Sequence, residues 1–269
     1  MPYHDKNSPS QNFLKDRSIV SQLISVSDLQ TTDTVIEIGP GLGIITTLLC
    51  GKVAKVLAIE KDVDLANVLI KRTQNITNLE VINQDFLNYN LPLFNYKIFA
   101  NPPFSITAKI LNKIYLSSNL PESMFLIMQL ETAQKFIGTP LESQSSILFK
   151  PFFDIDILGE IDRSSFTKKP QIKIVFVKFI KKPTPFIKNQ DKTDFYNFVI
   201  YGFNKWSPTI LDAYKEVLTY TQLQTIKKSL KIGDIPPSEL SFDKWLLFFK
   251  AYKKLLDSNQ TNSILFSGK

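Results

Sequence analysis

The amino-acid sequence predicts a doubly wound, mostly parallel α/β domain followed by a small C-terminal helical domain. Three observations carry this expectation. Short apolar runs bounded by turn residues alternate with helically spaced segments over the first two-thirds of the chain. Two prolines among lysines in KKPTPFIKN, at 181–189, then interrupt the alternation. Beyond them the pattern is helical and rich in phenylalanine.

Taken in order, TVIEIG (34–39), VAKVLAIE (53–60), LEVIN (79–83), KIFAN (97–101) and SMFLIMQL (123–130) read as strands. Apolar spacings of three and four over 61–74 and 107–118 predict helices between them. IKIVFVKFI at 172–180 alternates charged and apolar residues, as a final strand with one solvated face does. The lysine–proline linker sets the expected domains at residues 1–182 and 183–269. In the second, Ser207-Pro208 and Ser241 read as helix starts, and Trp245 with its phenylalanine neighbours reads as core.

Composition excludes several function classes. The chain has 269 residues, 43% hydrophobic and 21% charged, which describes a soluble globular protein. Its apolar runs, such as MFLIM at 124–128, are far too short to span a bilayer. The N-terminus carries no apolar signal core. With one cysteine, Cys50, and one histidine, His4, no internal disulfide, cysteine metal cluster or histidine-based triad can be built. Neither residue is assigned a role. The expectation is a cytoplasmic monomer without a metal. The net charge of +7 follows partly from a lysine-rich composition, so its distribution is more informative. Arg163 to Lys182 holds seven basic residues and no acid, and residues 183–269 add twelve lysines against eight acids. Such a field favours a polyanion, nucleic acid above all.

Four strand ends carry candidate chemistry. EIGPGLG at 37–43 follows a strand and opens a helix, with glycines at 39, 41 and 43 that permit a tight turn and close backbone approach. Glu37 precedes that loop. Glu60 ends the second strand, 21 residues after Gly39, where a carboxylate can accept from ribose hydroxyls. Asp85 closes the third strand, placed to accept from an adenine amino group. The fourth strand ends in FANPPFSI, 99–106. Its prolines fix φ and donate nothing, so the chain presents Asn101 and the Pro102 carbonyl as rigid acceptors beside the ring of Phe104.

This series resembles the class I S-adenosylmethionine-dependent methyltransferases of the adenine-N6 kind, whose fold is Rossmann-like. SQNFLKD at 10–16, MQLETAQKF at 128–136 and SFTKKPQIKIVFVKF at 165–179 are similar to blocks of the rRNA adenine N6-dimethyltransferase family. The resemblance implies S-adenosyl-L-methionine as cofactor, with S-adenosyl-L-homocysteine as product. It implies a cofactor site of Gln11, Asn12, Leu14, Glu37, Gly39, Gly41, Glu60, Asp85, Phe86 and Asn101. The implied catalytic group is Asn101, Pro102 and Phe104, and the implied RNA contacts are Arg163, Phe166, Lys168 and Lys169, with core packing the other reading of Phe166. The C-terminal PPSELSFDKWLLFFKAYKKL resembles the Erm branch, which methylates 23S rRNA and confers macrolide–lincosamide–streptogramin B resistance. Two alternatives stand beside it: a KsgA/Dim1-type enzyme of 16S rRNA, and a catalytically silent nucleic-acid-binding factor of the same fold. Pro102 departs from the family's usual Ile or Leu and gives the NPPF also seen in DNA adenine-N6 methyltransferases.

Overall fold

The computed structural model describes residues 13–257. Within them the chain divides into two compact units, 13–133 with 154–181, and 134–153 with 182–257. The division at 181–182 follows the lysine–proline linker. Residues 134–153, which the sequence pattern leaves in the first domain, belong to the second unit.

The first unit is built on a seven-stranded sheet. Its strands are β1 (Thr34–Ile38), β2 (Lys55–Glu60), β3 (Leu79–Asn83), β4 (Lys97–Ala100), β5 (Ser123–Gln129), β6 (Phe153–Ile161) and β7 (Ile174–Lys181), in the order β3-β2-β1-β4-β5-β7-β6. The pairs β1–β2, β2–β3, β1–β4 and β4–β5 are parallel, and β5–β7 is antiparallel. Helices α1 (Arg17–Ser25), α2 (Ile44–Cys50), α3 (Val63–Arg72) and α4 (Thr107–Leu116) connect and cover the strands. Asp16 and Asp62 cap α1 and α3 by accepting from two backbone N–H groups each. Rings from three strands meet in the core: Phe99 lies 5.5 Å from Phe176, and Phe125 lies 5.8 Å from Phe176.

Two features of the sheet depart from the pattern. β6 gives no apolar run, because most of its residues are exposed and it carries Asp154, Asp156 and Glu160. β7 lies between β5 and β6, so most of it is buried rather than solvated on one face. The lysines that suggested a wet face are ion-paired, Lys173 with Glu160 at 3.3 Å and Lys178 with Asp156 at 3.5 Å.

The second unit contains α6 (Gln144–Phe149), α7 (Lys192–Asn204), α8 (Ile210–Ala213), α9 (Tyr220–Leu230) and α10 (Phe242–Asp257); α5 (Leu130–Ile137) leads into it from β5. Phe198 is central to its core, with Tyr214, Trp245 and Phe248 at ring distances of 4.7, 5.8 and 5.1 Å. Trp245 is fully buried and stacks on Phe203 at 5.2 Å. A Cβ at Gly202 would stand 2.6 Å from Tyr214 Oη and 2.7 Å from Trp245 Cη2, so only glycine lets α7 approach these rings. Thr209 rather than Ser207 caps α8. Residues 134–153 join the rest of this unit through Glu142 N–H donating to Ser238 O at 2.9 Å, Phe186 N–H donating to Pro151 O at 3.0 Å and Lys192 Nζ 5.5 Å from the Phe152 ring centroid.

Candidate active site

The exits of β1 and β4 lie side by side, since Ile38 pairs with Ala100. The β1 exit turns at three glycines with φ of +68°, +54° and +84° at Gly39, Gly41 and Gly43. Nothing lies within 4 Å of where a Gly39 Cβ would be, so space opens directly onto the backbone there. At Gly41 the equivalent position falls 2.5 Å from Phe13 Cε1, so the Phe13 ring rests on this glycine.

Glu60, only 4% exposed, ties the first two exits together. Its Oε2 accepts from Gly41 N–H at 3.0 Å and its Oε1 accepts from Asp62 N–H at 2.9 Å. Asp85 sits at the third exit, with Oδ1 accepting from Leu87 N–H at 2.9 Å and Oδ2 accepting from Lys61 Nζ at 2.8 Å. The Lys61 ammonium, then the Leu87 N–H, hold the Asp85 carboxyl below its usual range.

One cavity collects these groups. Leu14, Gly39, Glu60, Asp85, Phe86, Asn101 and Pro102 all line it, so six of the ten expected cofactor residues and two of the three catalytic ones converge there. Gln11 and Asn12 lie outside the described residues. Phe13, Lys61 and Ile106 also line the cavity. Of these, Lys61 had a visible signal, its place directly after the strand-ending Glu60.

Gly41, beneath the Phe13 ring, does not line the cavity, and three further expected site residues stand elsewhere. Glu37 is 1% exposed and does not line the cavity. Burial pushes its pKa up to about 8. Thr46 offsets this in part, and the Glu60 charge adds to it. Phe104 opens a short 3₁₀ turn, Phe104–Ile106, and is half-buried against the core rather than an exposed ring. Phe166 is core as well, 1% exposed, which removes it from any RNA-facing surface. Its backbone forms an antiparallel bridge with Leu14, flanked by Lys15 N–H donating to Ser165 O at 2.9 Å and Thr167 N–H donating to Phe13 O at 2.8 Å. The bridge joins the cavity-lining segment 13–15 to the basic loop after β6.

In that loop Lys168 and Lys169 are exposed, and Arg163 donates from Nη1 to Gln171 O at 3.3 Å. The whole segment is less positive than its sequence, because Lys173, Lys178 and Lys181 pair with acids from other segments. Burial, then the Glu37 charge, pushes the Cys50 thiol up to about 11, away from the range of activated cysteines. Among the described residues no helix is long and apolar enough to cross a membrane, and no group of three or more metal-ligating side chains occurs.

Comparison with known proteins agrees with this geometry. Residues 4–254 match the family described as ribosomal RNA adenine dimethylase. The chain is 30% identical to a ribosomal RNA small subunit methyltransferase A of Chlorobium phaeobacteroides, over 94% of this chain and 95% of that protein. It is also 30% identical to an rRNA adenine N-6-methyltransferase of Limosilactobacillus reuteri, over 91% and 95%. The crystal structure of 23S rRNA methyltransferase ErmE matches with a TM-score of 0.76 at 22% identity, covering 90% of this chain and 100% of that one. The fold is therefore that of a Rossmann-like methyltransferase.

Proposed function

The chain belongs to the ribosomal RNA adenine dimethylase family, and on that premise we propose that it methylates N6 of one adenine in the peptidyl-transferase loop of 23S rRNA, conferring macrolide–lincosamide–streptogramin B resistance. One observation carries the catalytic part of this reading. The glycine exit, Glu60, Asp85 and the Asn101-Pro102 acceptors line or border a single cavity. The open space over Gly39 and the paired carboxylates fit a nucleoside with an attached chain, which is the form of S-adenosylmethionine. When bound, that cofactor supplies a methyl group on a sulfonium.

The residues of the chain supply the rest. Leu14, Glu60, Asp85 and Phe86 hold the nucleoside, with Glu60 accepting from ribose and Asp85 from the adenine amino group. Lys61, whose side chain is exposed, pairs with Asp85 Oδ2 at 2.8 Å, and the carboxylate keeps further lone pairs for that contact. The amino nitrogen of the target adenine is a poor nucleophile because its lone pair is delocalised into the ring. Asn101 Oδ1 and the Pro102 carbonyl accept its two N–H groups, draw the nitrogen towards tetrahedral geometry and stabilise the charge that develops there. No basic side chain is required. Target bases reach such a pocket only when unpaired or flipped out, and Arg163, Lys168 and Lys169 hold the phosphate backbone nearby. The same reading makes the protein a cytoplasmic monomer that takes no metal.

A second reading has its own support, since the Chlorobium relative named a small-subunit methyltransferase is as similar as the Limosilactobacillus one. Tritiated S-adenosylmethionine with protein-free 23S rRNA, protein-free 16S rRNA, immature small subunits and double-stranded DNA separates the two. Label in 23S rRNA alone is the expected result. Label in 16S rRNA or immature subunits would move the enzyme to the KsgA/Dim1 branch, and no label despite cofactor binding would favour a silent binding factor.

A further inference from the structure

The chain has two tryptophans, and the helical unit treats them in opposite ways. Trp245 is at 0% exposure and donates its Nε1–H to Pro237 O at 3.1 Å. Trp206 is completely exposed, at 104%. Tryptophan is among the residues with most to gain from burial, so an indole standing wholly in water contributes little to folding. It sits in the short link between α7 and α8.

Beside the indole runs an open groove of about 750 Å³, lined by Asn204, Lys205, Ser207, Pro208 and Ser238 as well as Trp206. The lining is mixed: an amide, two hydroxyls and an ammonium accompany the Trp206 and Phe203 rings and two prolines, Pro208 and Pro237. An aromatic anchor for a protein partner sits instead in a dry patch depleted of charge. The described residues of this unit carry fourteen lysines against nine acidic side chains. Lys205 itself is tied to Glu216 at 2.5 Å, so the positive field comes from the unit as a whole. A ring open to stacking, hydrogen-bonding groups around it and a net positive charge are what an unpaired nucleobase on a polyanionic strand needs.

We propose that Trp206 and its groove form a stacking contact for an unpaired base of ribosomal RNA, distinct from the base that is methylated. The inference rests on the reading that the chain acts on rRNA. Tryptophan fluorescence tests it directly in the full-length protein, because Trp245 provides a shielded internal reference. Titrating protein-free rRNA into the native chain should quench the emission and protect it from iodide. In Trp206→Phe that change should vanish while affinity stays within about threefold, since a stacking ring remains. Trp206→Ala should weaken rRNA binding by about tenfold with unchanged melting temperature and unchanged S-adenosylmethionine affinity. Native rRNA affinity in Trp206→Ala would overturn the contact. A loss confined to ribosomal particles, with naked RNA bound normally, would also overturn it and assign the indole to a protein partner. Failure of the native chain to bind any rRNA would instead remove the functional reading, and this contact with it.

Discussion

The two strand exits that meet at the cavity, Gly39–Gly43 after β1 and Asn101–Phe104 after β4, leave neighbouring strands at the same end of the sheet and reach stiffness by opposite means. The glycine exit is fixed by hydrogen bonds. Gly39 N–H donates to Ile59 O, Gly41 N–H to Glu60 Oε2 and Gly43 N–H to Pro40 O, each at 3.0 Å. Its three glycine donors are therefore spent within the protein, and what it offers a ligand is room. The proline exit is fixed by its rings. It has no N–H to place at Pro102 or Pro103, and what it offers is acceptors. On the proposed function, the cofactor would lie against the first and the amino group to be methylated would be held by the second.

Substitutions at the two exits break this division in a graded way. Asn101→Ala removes an acceptor that matters only as charge develops on the amino nitrogen, so methyl transfer at saturating cofactor should fall by about 100-fold or more in a single-turnover assay. Glu60→Gln comes next. An amide there accepts through one oxygen only, leaving Gly41 N–H or Asp62 N–H facing an NH₂ group. Each hydrogen bond to the carboxylate is worth about 1.5–3 kcal/mol. Cofactor affinity should drop about 10- to 100-fold, with a lower melting temperature; a calorimetric titration and a thermal melt check both.

Gly41→Ala should have a smaller effect on transfer. The positive φ costs about 1–2 kcal/mol for a residue with a Cβ, and Phe13 must move from its place over this glycine. About a tenfold loss of cofactor affinity by equilibrium dialysis is expected. Pro102→Ala keeps the carbonyl and loosens only its mounting, so a two- to fivefold loss of rate should suffice, on the order of 1 kcal/mol or less.

The smallest effect on transfer should come from Glu37→Gln, below the glycine exit, which changes pH dependence instead. Because Glu37 keeps its proton in the fold to about pH 8 but loses it near 4.5 when unfolded, its contribution to stability declines as pH rises between those values. Urea midpoints at pH 5, 7 and 9 should fall more steeply for the native chain than for the Gln variant, by an amount on the order of a few kcal/mol across the window.

The exits were legible in the sequence because glycine, proline and strand-ending acids are local punctuation. The first five strands were legible for a similar reason, each being an apolar run between turn residues. What escaped depends on contacts between distant segments. β6 is absent from the expected strands because its exposed acids interrupt any apolar run, and its pairing with β7 leaves no local signal. The charge of 163–182 reads as free because three of its partners, Glu160, Asp156 and Glu122, lie before the segment. Phe166 sits among exposed lysines in sequence, yet a backbone bridge to Leu14 draws it into the core. Residues 134–153 leave the sheet unit through contacts with residues after 182, such as Glu142 N–H on Ser238 O, that no spacing rule records.

The division between the exits is tested most directly by titrating S-adenosylmethionine into the native protein, Glu60→Gln and Asn101→Ala under identical conditions. The account predicts at least tenfold weaker binding for Glu60→Gln, about 1.4 kcal/mol, and a change under about threefold for Asn101→Ala. Equal losses in the two variants, or a larger loss in Asn101→Ala, would contradict it, because the proline exit would then serve the cofactor rather than the base.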